Sequence, residues 1–281
     1  MALRKYDSFS TPDPRRAVRS PSREAVIWTA ALAVAAAGFV FRLPQPADYH
    51  DFADQRTIFG VPHFTNVVTN AAFAVVGVIA LAGLSRRRRG AEPGLFWPPE
   101  TFLFRIFYAS SIGVAAGSAL YHWSPSNLTL FWDRLPMAVC VAALAAGLLA
   151  GRLGAAAGTR AFRVLGPAIP ATLVYWLWSE THGSGNIWPY LCWMYGTLMV
   201  TALVLLLYEP RYTESAHEWA ALFLFAGAML FDTLLDGWLY ALGGFMGGHA
   251  LKHLLAAFGM FWLWWFSLRT RTAGGESTDA R

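Results

Sequence analysis

An all-α polytopic membrane bundle is the fold class that the sequence predicts, and three observations carry the expectation. The chain of 281 residues is 56% hydrophobic and only 14% charged, where a soluble domain is about 25% charged. Eight apolar runs come close to the roughly 20 residues that a helix needs to cross the hydrocarbon of a bilayer. Basic residues alternate between rich and poor from one connecting segment to the next, which is the pattern of a chain threaded repeatedly through a membrane.

Residues 1–24 hold Arg4, Lys5, Arg15, Arg16, Arg19 and Arg23 among Ser, Pro and Asp, a composition that cannot bury a core and is expected to be a disordered basic tail. The apolar run over 25–43 is not closed by a small-residue cleavage pattern, so it reads as a retained helix rather than a signal peptide. Further runs cover 63–84, 101–122, 129–150, 162–178, 188–208, 218–238 and 249–268. Pro167 and Pro170 interrupt the fifth, which is expected to kink without ending, because membrane helices tolerate proline. Connections are short apart from 44–62, which is long, acidic and aromatic, a length that often carries function. A polar tail, 269–281, closes the chain. The division is thus an extra N-terminal helix over 25–43 and a seven-helix core within 44–268.

Lys and Arg outnumber Asp and Glu by 22 to 17, but in short clusters between apolar runs rather than in a stripe interleaved with aromatics. The excess therefore reads as membrane topology and not as nucleic-acid binding. With the N-terminus inside, only Arg42, Arg56, Arg134 and Lys252 fall on the outer side. Both termini are expected in the cytoplasm, and seven or nine spans would put the two Arg-rich ends on opposite sides. Arg86 to Arg89 suit an inner surface with anionic lipids. The Ala- and Arg-rich, Lys-poor composition suggests a bacterial inner membrane. Cys140 and Cys192 lie inside apolar runs and read as small buried residues.

That orientation gathers five polar residues at the outer end of the bundle. Ser118 and His122 are four apart and share one helical face. Asp133 opens the next run, where a charged side chain costs on the order of 2.5–3.5 kcal/mol at bilayer centre and needs a partner or a task. His249 and His253 form an HxxxH pair that puts two imidazoles on one face, as a metal ion requires. With His122 they make three nitrogen ligands, the protein share of a catalytic zinc site. Zinc would bring the pKa of a bound water to about 7 and polarise a carbonyl. Asp133 would then move the proton, and Ser118 would hold the water or a developing oxyanion. Each residue also has a plainer reading: interhelical hydrogen bonding for the histidines, close packing at Gly117–Ser118, and an Asp133–Arg134 ion pair. Asp232 and Asp236, one turn apart, would line the cavity or a proton path, or bond neighbouring helices. His50 and His63 are conceivable metal neighbours, and His182 and His217 read as bystanders.

At these positions the chain resembles the alkaline ceramidases, members of a wider group of seven-helix transmembrane metal hydrolases that includes adiponectin receptors. The resemblance rests on Ser118 and His122, on Trp132-Asp133-Arg134 with Pro136, and on Gly248-His249 with His253. Asn66, Thr69, Asn70 and Phe73 are similar to the family's Asn-Thr-x-Ser-Asn-x-x-Phe, and Phe231-Asp232 to a polar position of its sixth core helix. The resemblance covers roughly 48–268 and implies zinc on His122, His249 and His253, with Ser118 and Asp133 around the attacking water. It implies hydrolysis of a ceramide-like lipid amide to a sphingoid base and a fatty acid, with Asn70 near the cavity. Eukaryotic members also bind calcium through an Asp-Trp-x-Glu-x-Asn stretch and a Glu at the first core helix. Here Asp48, Asp51 and Asp54 offer hard oxygens, but the Asn is missing and His63 stands near the Glu position, which argues against calcium.

The expected protein is a membrane-embedded, zinc-dependent amidohydrolase that takes its lipid substrate from the bilayer. Two other classes fit the same residues. One is a lipid receptor or scaffold with a structural zinc. The other is a proton-coupled transporter using Asp133, Asp232 and Asp236, although the inverted repeats common in transporters are not evident.

Overall fold

A computed structural model describes residues 21–86, 98–213 and 215–269. The described residues are mostly helical, with an isolated β-bridge between Ile58 and Val61 and no β-strand among them. The expected tail as far as residue 20, Arg87 to Arg89 and the tail from residue 270 lie outside them. The helices are α1 (Pro21–Ala37), α2 (Phe64–Val68), α3 (Ala71–Arg86), α4 (Pro98–Trp123), α5 (Asn127–Leu153), α6 (Ala155–Thr181), α7 (Trp188–Leu207), α8 (Ala216–Gly243) and α9 (Gly248–Ser267). Five segments are long and apolar enough to cross a membrane: Phe64–Ser85, which joins α2 to α3, together with Glu100–Trp123, Asn127–Leu153, Trp188–Leu207 and Ala216–Gly243. The chain is a multi-pass membrane protein.

All eight expected runs are helical, with shifted ends. The first stops at Ala37, where Trp188 Nε1 donates to the Ala37 carbonyl at 2.7 Å, and residues 38–46 run irregularly through Pro44 and Pro46. It also starts earlier than expected, at Pro21, a residue suited to a first helical turn because its missing N–H would have no partner there. The second run breaks at Thr69 and Asn70. There the Asn70 amide donates to the Asn66 carbonyl at 2.7 Å and the Thr69 hydroxyl to the Thr65 carbonyl at 2.7 Å, so both side chains bond back to the preceding turn. The fifth run extends to Ala155–Thr181, carrying Pro167 and Pro170 inside one helix.

The helices follow one another round an incomplete ring. α8 packs on α9, α9 on α3, α3 on α4, α4 on α5, and α5 on both α6 and α7, while α1 lies outside against α7. Among the five spans, α5 is the most enclosed, with 61% of its apolar stretch buried, and α8 the least, with 6%. α8 therefore meets the bundle on its α9 side, and its other flank faces α7 across an opening that Tyr195 and Met229 approach to 3.7 Å.

Two glycines allow the approaches that place polar groups at one end. A Cβ on Gly117 would run into the Trp132 carbonyl, so α4 and α5 lie backbone to backbone beside Ser118 and Asp133. A Cβ on Gly248 would run into the Phe231 carbonyl, so the start of α9 sits directly on α8. The segment 44–62 folds over this end. Phe52 inserts with its ring centroid 4.6 Å from that of His122, 5.1 Å from His63 and 5.6 Å from His249.

Candidate metal centre

His122 in the last turn of α4 and His249 and His253 in the first turns of α9 converge, with one potential ligand atom from each lying within 4.8 Å of the others. His122 Nε2 and His249 Nε2 are 3.1 Å apart. Two nitrogens bound to one tetrahedral zinc at about 2.0–2.1 Å would be separated by about 3.3–3.4 Å. A hydrogen bond between neutral imidazoles would account for that one distance, but not for a third histidine at the same point. Three histidines on two helices can hold a metal ion.

The hydrogen-bond partners turn the ligand nitrogens inward. Asp232 Oδ1 accepts from His249 Nδ1 at 2.6 Å, leaving Nε2 to face His122. Thr69 spends its own proton on the Thr65 carbonyl, so its oxygen accepts from His253 Nδ1 at 3.0 Å and leaves Nε2 bare. Outer contacts of this kind fix the tautomer and raise the basicity of metal-binding imidazoles. His122 is fully buried and its Nδ1 has no partner, although its carbonyl accepts from His63 Nδ1 at 2.7 Å. Lys252 Nζ donates to Asp232 Oδ2 at 3.0 Å and balances that carboxylate.

Ser118 and Asp133 face the same point from α4 and α5. Ser118 lies beside the Asp133 carboxylate, whose buried Oδ1 has no hydrogen-bond partner. A buried oxygen left unsatisfied costs about 1–3 kcal/mol, a cost that a proton or a bound water would remove. Arg134 turns away from the centre. Its Nη1 donates to Gln45 Oε1 at 2.8 Å, and its guanidinium stacks near Tyr49, Trp176 and Tyr190.

A cavity of about 610 Å³ opens from this polar end, where Ser118, Asp133, Asp232, His249, Lys252 and His253 contribute to its wall. It continues between α5, α7, α8 and α9 past Met137, Leu144, Met194, Phe225, Met260 and Leu263. From His249 to Leu263 it follows α9 for about 21 Å at 1.5 Å per residue. One leaflet of hydrocarbon is about half of 30 Å, so the cavity runs along α9 for more than the depth of a leaflet.

Several expected positions take other places. Asp236 caps α9, accepting from the His249 backbone N–H at 2.8 Å, and is not among the cavity residues. Asn70 pins the break between α2 and α3 and also lies outside the cavity wall. Asp48 and Asp51 are exposed, whereas Asp54 is buried and accepts from Arg56 Nε at 2.7 Å, Arg56 Nη2 at 3.0 Å, the Thr65 N–H at 3.1 Å and the Thr65 hydroxyl at 2.6 Å. Burial alone would raise its pKa, but these bonds outweigh that and hold the carboxyl well below its ordinary value. The Arg56 guanidinium stands where a cation would, so the three aspartates do not converge on a calcium ion. His50 bonds Tyr121 and Asn127, away from the three imidazoles.

Sequence reasoning missed Phe52 and the ligand-orienting roles of Thr69 and Asp232. For Asp232 and Lys252 a signal was present: a carboxylate and an ammonium inside apolar runs at the depth of the histidines. Thr69 and Phe52 carry no such mark. No family model, curated protein or solved structure matches this chain.

Proposed function

We propose that the protein is a zinc-dependent amidohydrolase of ceramide-like lipids, lying in a bacterial inner membrane with both termini cytoplasmic and its metal centre toward the outer leaflet. The observation that carries this reading is three histidines, two of them oriented by Asp232 and Thr69, at one end of a long apolar cavity whose wall also includes Ser118 and the buried Asp133. The resemblance of Ser118, His122, Asp133, His249 and His253 to alkaline ceramidases supports the same reading.

A bound zinc ion would polarise the amide carbonyl and acidify a water molecule. Asp133, whose Oδ1 has no partner, would hold and move the proton, accepting it from the attacking water and delivering it to the departing amine nitrogen. Ser118 holds the Asp133 carboxylate in place. Asp232 keeps His249 in one tautomer, with Lys252 balancing its charge. Phe52 closes the centre against water from outside. The apolar wall takes the chains of the lipid, which enter from the bilayer between α7 and α8, where the ring of helices is open.

The transporter reading loses two of its three carboxylates, because Asp232 serves His249 and Asp236 serves the backbone of α9. A structural zinc in a receptor would need neither Ser118 nor the free oxygen of Asp133. The test is fatty acid release from ceramides of varied chain and base by the purified protein, with and without a zinc chelator. Release that the chelator abolishes and added zinc restores is expected. No release from any ceramide, or release indifferent to chelation, would overturn the proposal.

A further inference from the structure

Arg134 contributes to the cavity wall near its polar end, and only 7% of the residue is exposed. The other charged side chains of that wall have engagements of their own. Lys252 Nζ meets Asp232 Oδ2 at 3.0 Å, Glu218 Oε2 meets Arg152 Nη2 at 2.6 Å, and Asp133 lies beside Ser118. Arg134 makes no ion pair with a carboxylate among the described residues, its sequence neighbour Asp133 included. Glu180 of α6 instead accepts from Trp176 Nε1 at 3.0 Å and from the Gln45 N–H at 3.5 Å.

What surrounds the guanidinium is neutral. Gln45 Oε1 accepts from Nη1 at 2.8 Å, and Cζ lies 5.0 Å from the ring centroid of Tyr49, 5.1 Å from that of Trp176 and 5.7 Å from that of Tyr190. These contacts tie the segment 44–62 to α5, α6 and α7, and aromatic faces attract a cation. A structural tie alone does not call for a full charge on a cavity wall, because a buried guanidinium is costly unless an opposite charge balances it. Neutral rings and one carboxamide do not supply that balance.

We propose that Arg134 is the headgroup subsite of the cavity and receives an oxyanion, a carboxylate or a phosphate, carried on the amine side of the lipid amide. The planar N–H fork of arginine matches both groups and bonds them more strongly than it bonds a neutral acceptor. Asp133 and Arg134 are adjacent on α5, so their side chains leave the helix about 100° apart, one toward the histidines and one toward the segment 44–62. A lipid whose amide meets Asp133 therefore has its headgroup, and not the far end of its chain, at Arg134. The inference rests on the reading of the site as a lipid amidohydrolase and narrows its substrates from ceramide-like lipids in general to anionic ones.

The test is displacement of a fluorescent ceramide from the purified full-length protein in nonionic detergent, as isolated and again after zinc is chelated. The competitors share one acyl chain: N-palmitoylglycine, its uncharged methyl ester, ceramide phosphate and ceramide. An oxyanion-bearing lipid is expected to bind roughly ten- to a hundredfold more tightly than its neutral partner, both before and after chelation. A preference confined to the carboxylate or to the phosphate supports the subsite and identifies the oxyanion. Arg134→Gln should erase the preference while neutral lipids still bind, and Arg134→Lys, a point charge without the fork, should restore part of it. Equal binding of acid and ester by the native protein needs no variant to fold and overturns the subsite. So does a preference that Arg134→Gln leaves intact, one that disappears with zinc, or a variant that weakens charged and neutral lipids alike, as a purely structural Arg134 would. None of these touches the amidohydrolase reading. If the fluorescent ceramide itself does not bind, the lipid reading falls and the subsite with it.

Discussion

His249 and His253 differ from ordinary buried histidines in what holds their outer nitrogens. A carboxylate and a hydroxyl whose own proton is already committed force both rings to present a bare nitrogen at the point where His122 arrives. Asp232→Asn and Thr69→Val should therefore weaken metal binding by roughly ten- to a hundredfold without removing a ligand, as read by competition with a chelator of known affinity. Unchanged affinity in both variants would mean that the rings are oriented by packing alone. Asp133 works on the proton rather than the metal. Asp133→Asn should lower lipid-amide turnover by roughly 10²–10⁴-fold with metal content unchanged, and Ser118→Ala should lower it less, because it removes only a hydrogen bond to Asp133. Loss of metal in Asp133→Asn would make Asp133 a ligand instead.

Among the elements, the segment 44–62 and the broken helix α2–α3 decide whether the centre is closed. Asp54 and Arg56 fasten the segment to Thr65, and Arg56 Nη2 also reaches the Phe245 carbonyl beyond α8 at 2.5 Å. Because the folded Asp54 carboxyl titrates below its ordinary value of 3.8, its contribution is fully present above that value and is lost as the pH falls below it. Protection of 44–62 from hydrogen exchange should hold from neutral pH down to about that point and then decline. Arg56→Ala should expose the segment at neutral pH, and protection equal to that of the native chain would show that Phe52 packing holds it instead.

How far these elements were legible in the sequence follows from their chemistry. Spans and polar clusters are local properties of composition and spacing, so α4, α5 and α9 and their five site residues stood out. The break at Thr69 and Asn70 was hidden, because side chains bonding back to the helix leave the hydrophobic pattern intact. The fate of Asp54 was hidden because three nearby aspartates look alike until one is paired. Which neighbour a side chain meets, as Asp232 meets His249 rather than a proton path, depends on packing that periodicity does not encode.

At the scale of the molecule, an incomplete ring of helices encloses a largely apolar cavity with histidines and carboxylates gathered at one end. On the proposed orientation, which follows the Lys and Arg distribution, the histidine end lies outside. A cysteine in place of the exposed Asp51 should react with a membrane-impermeant maleimide added to intact cells. Reaction only after the membrane is opened would reverse the orientation.

The most direct test of the centre is the zinc bound per chain by purified full-length protein, measured by mass spectrometry of the metal for the native sequence and for His249→Ala. It predicts close to one zinc for the native protein and a large loss in the variant, whose α9 ligand set is broken. Native protein without zinc, or a variant that keeps it in full, would contradict the assignment of His122, His249 and His253 as the metal centre.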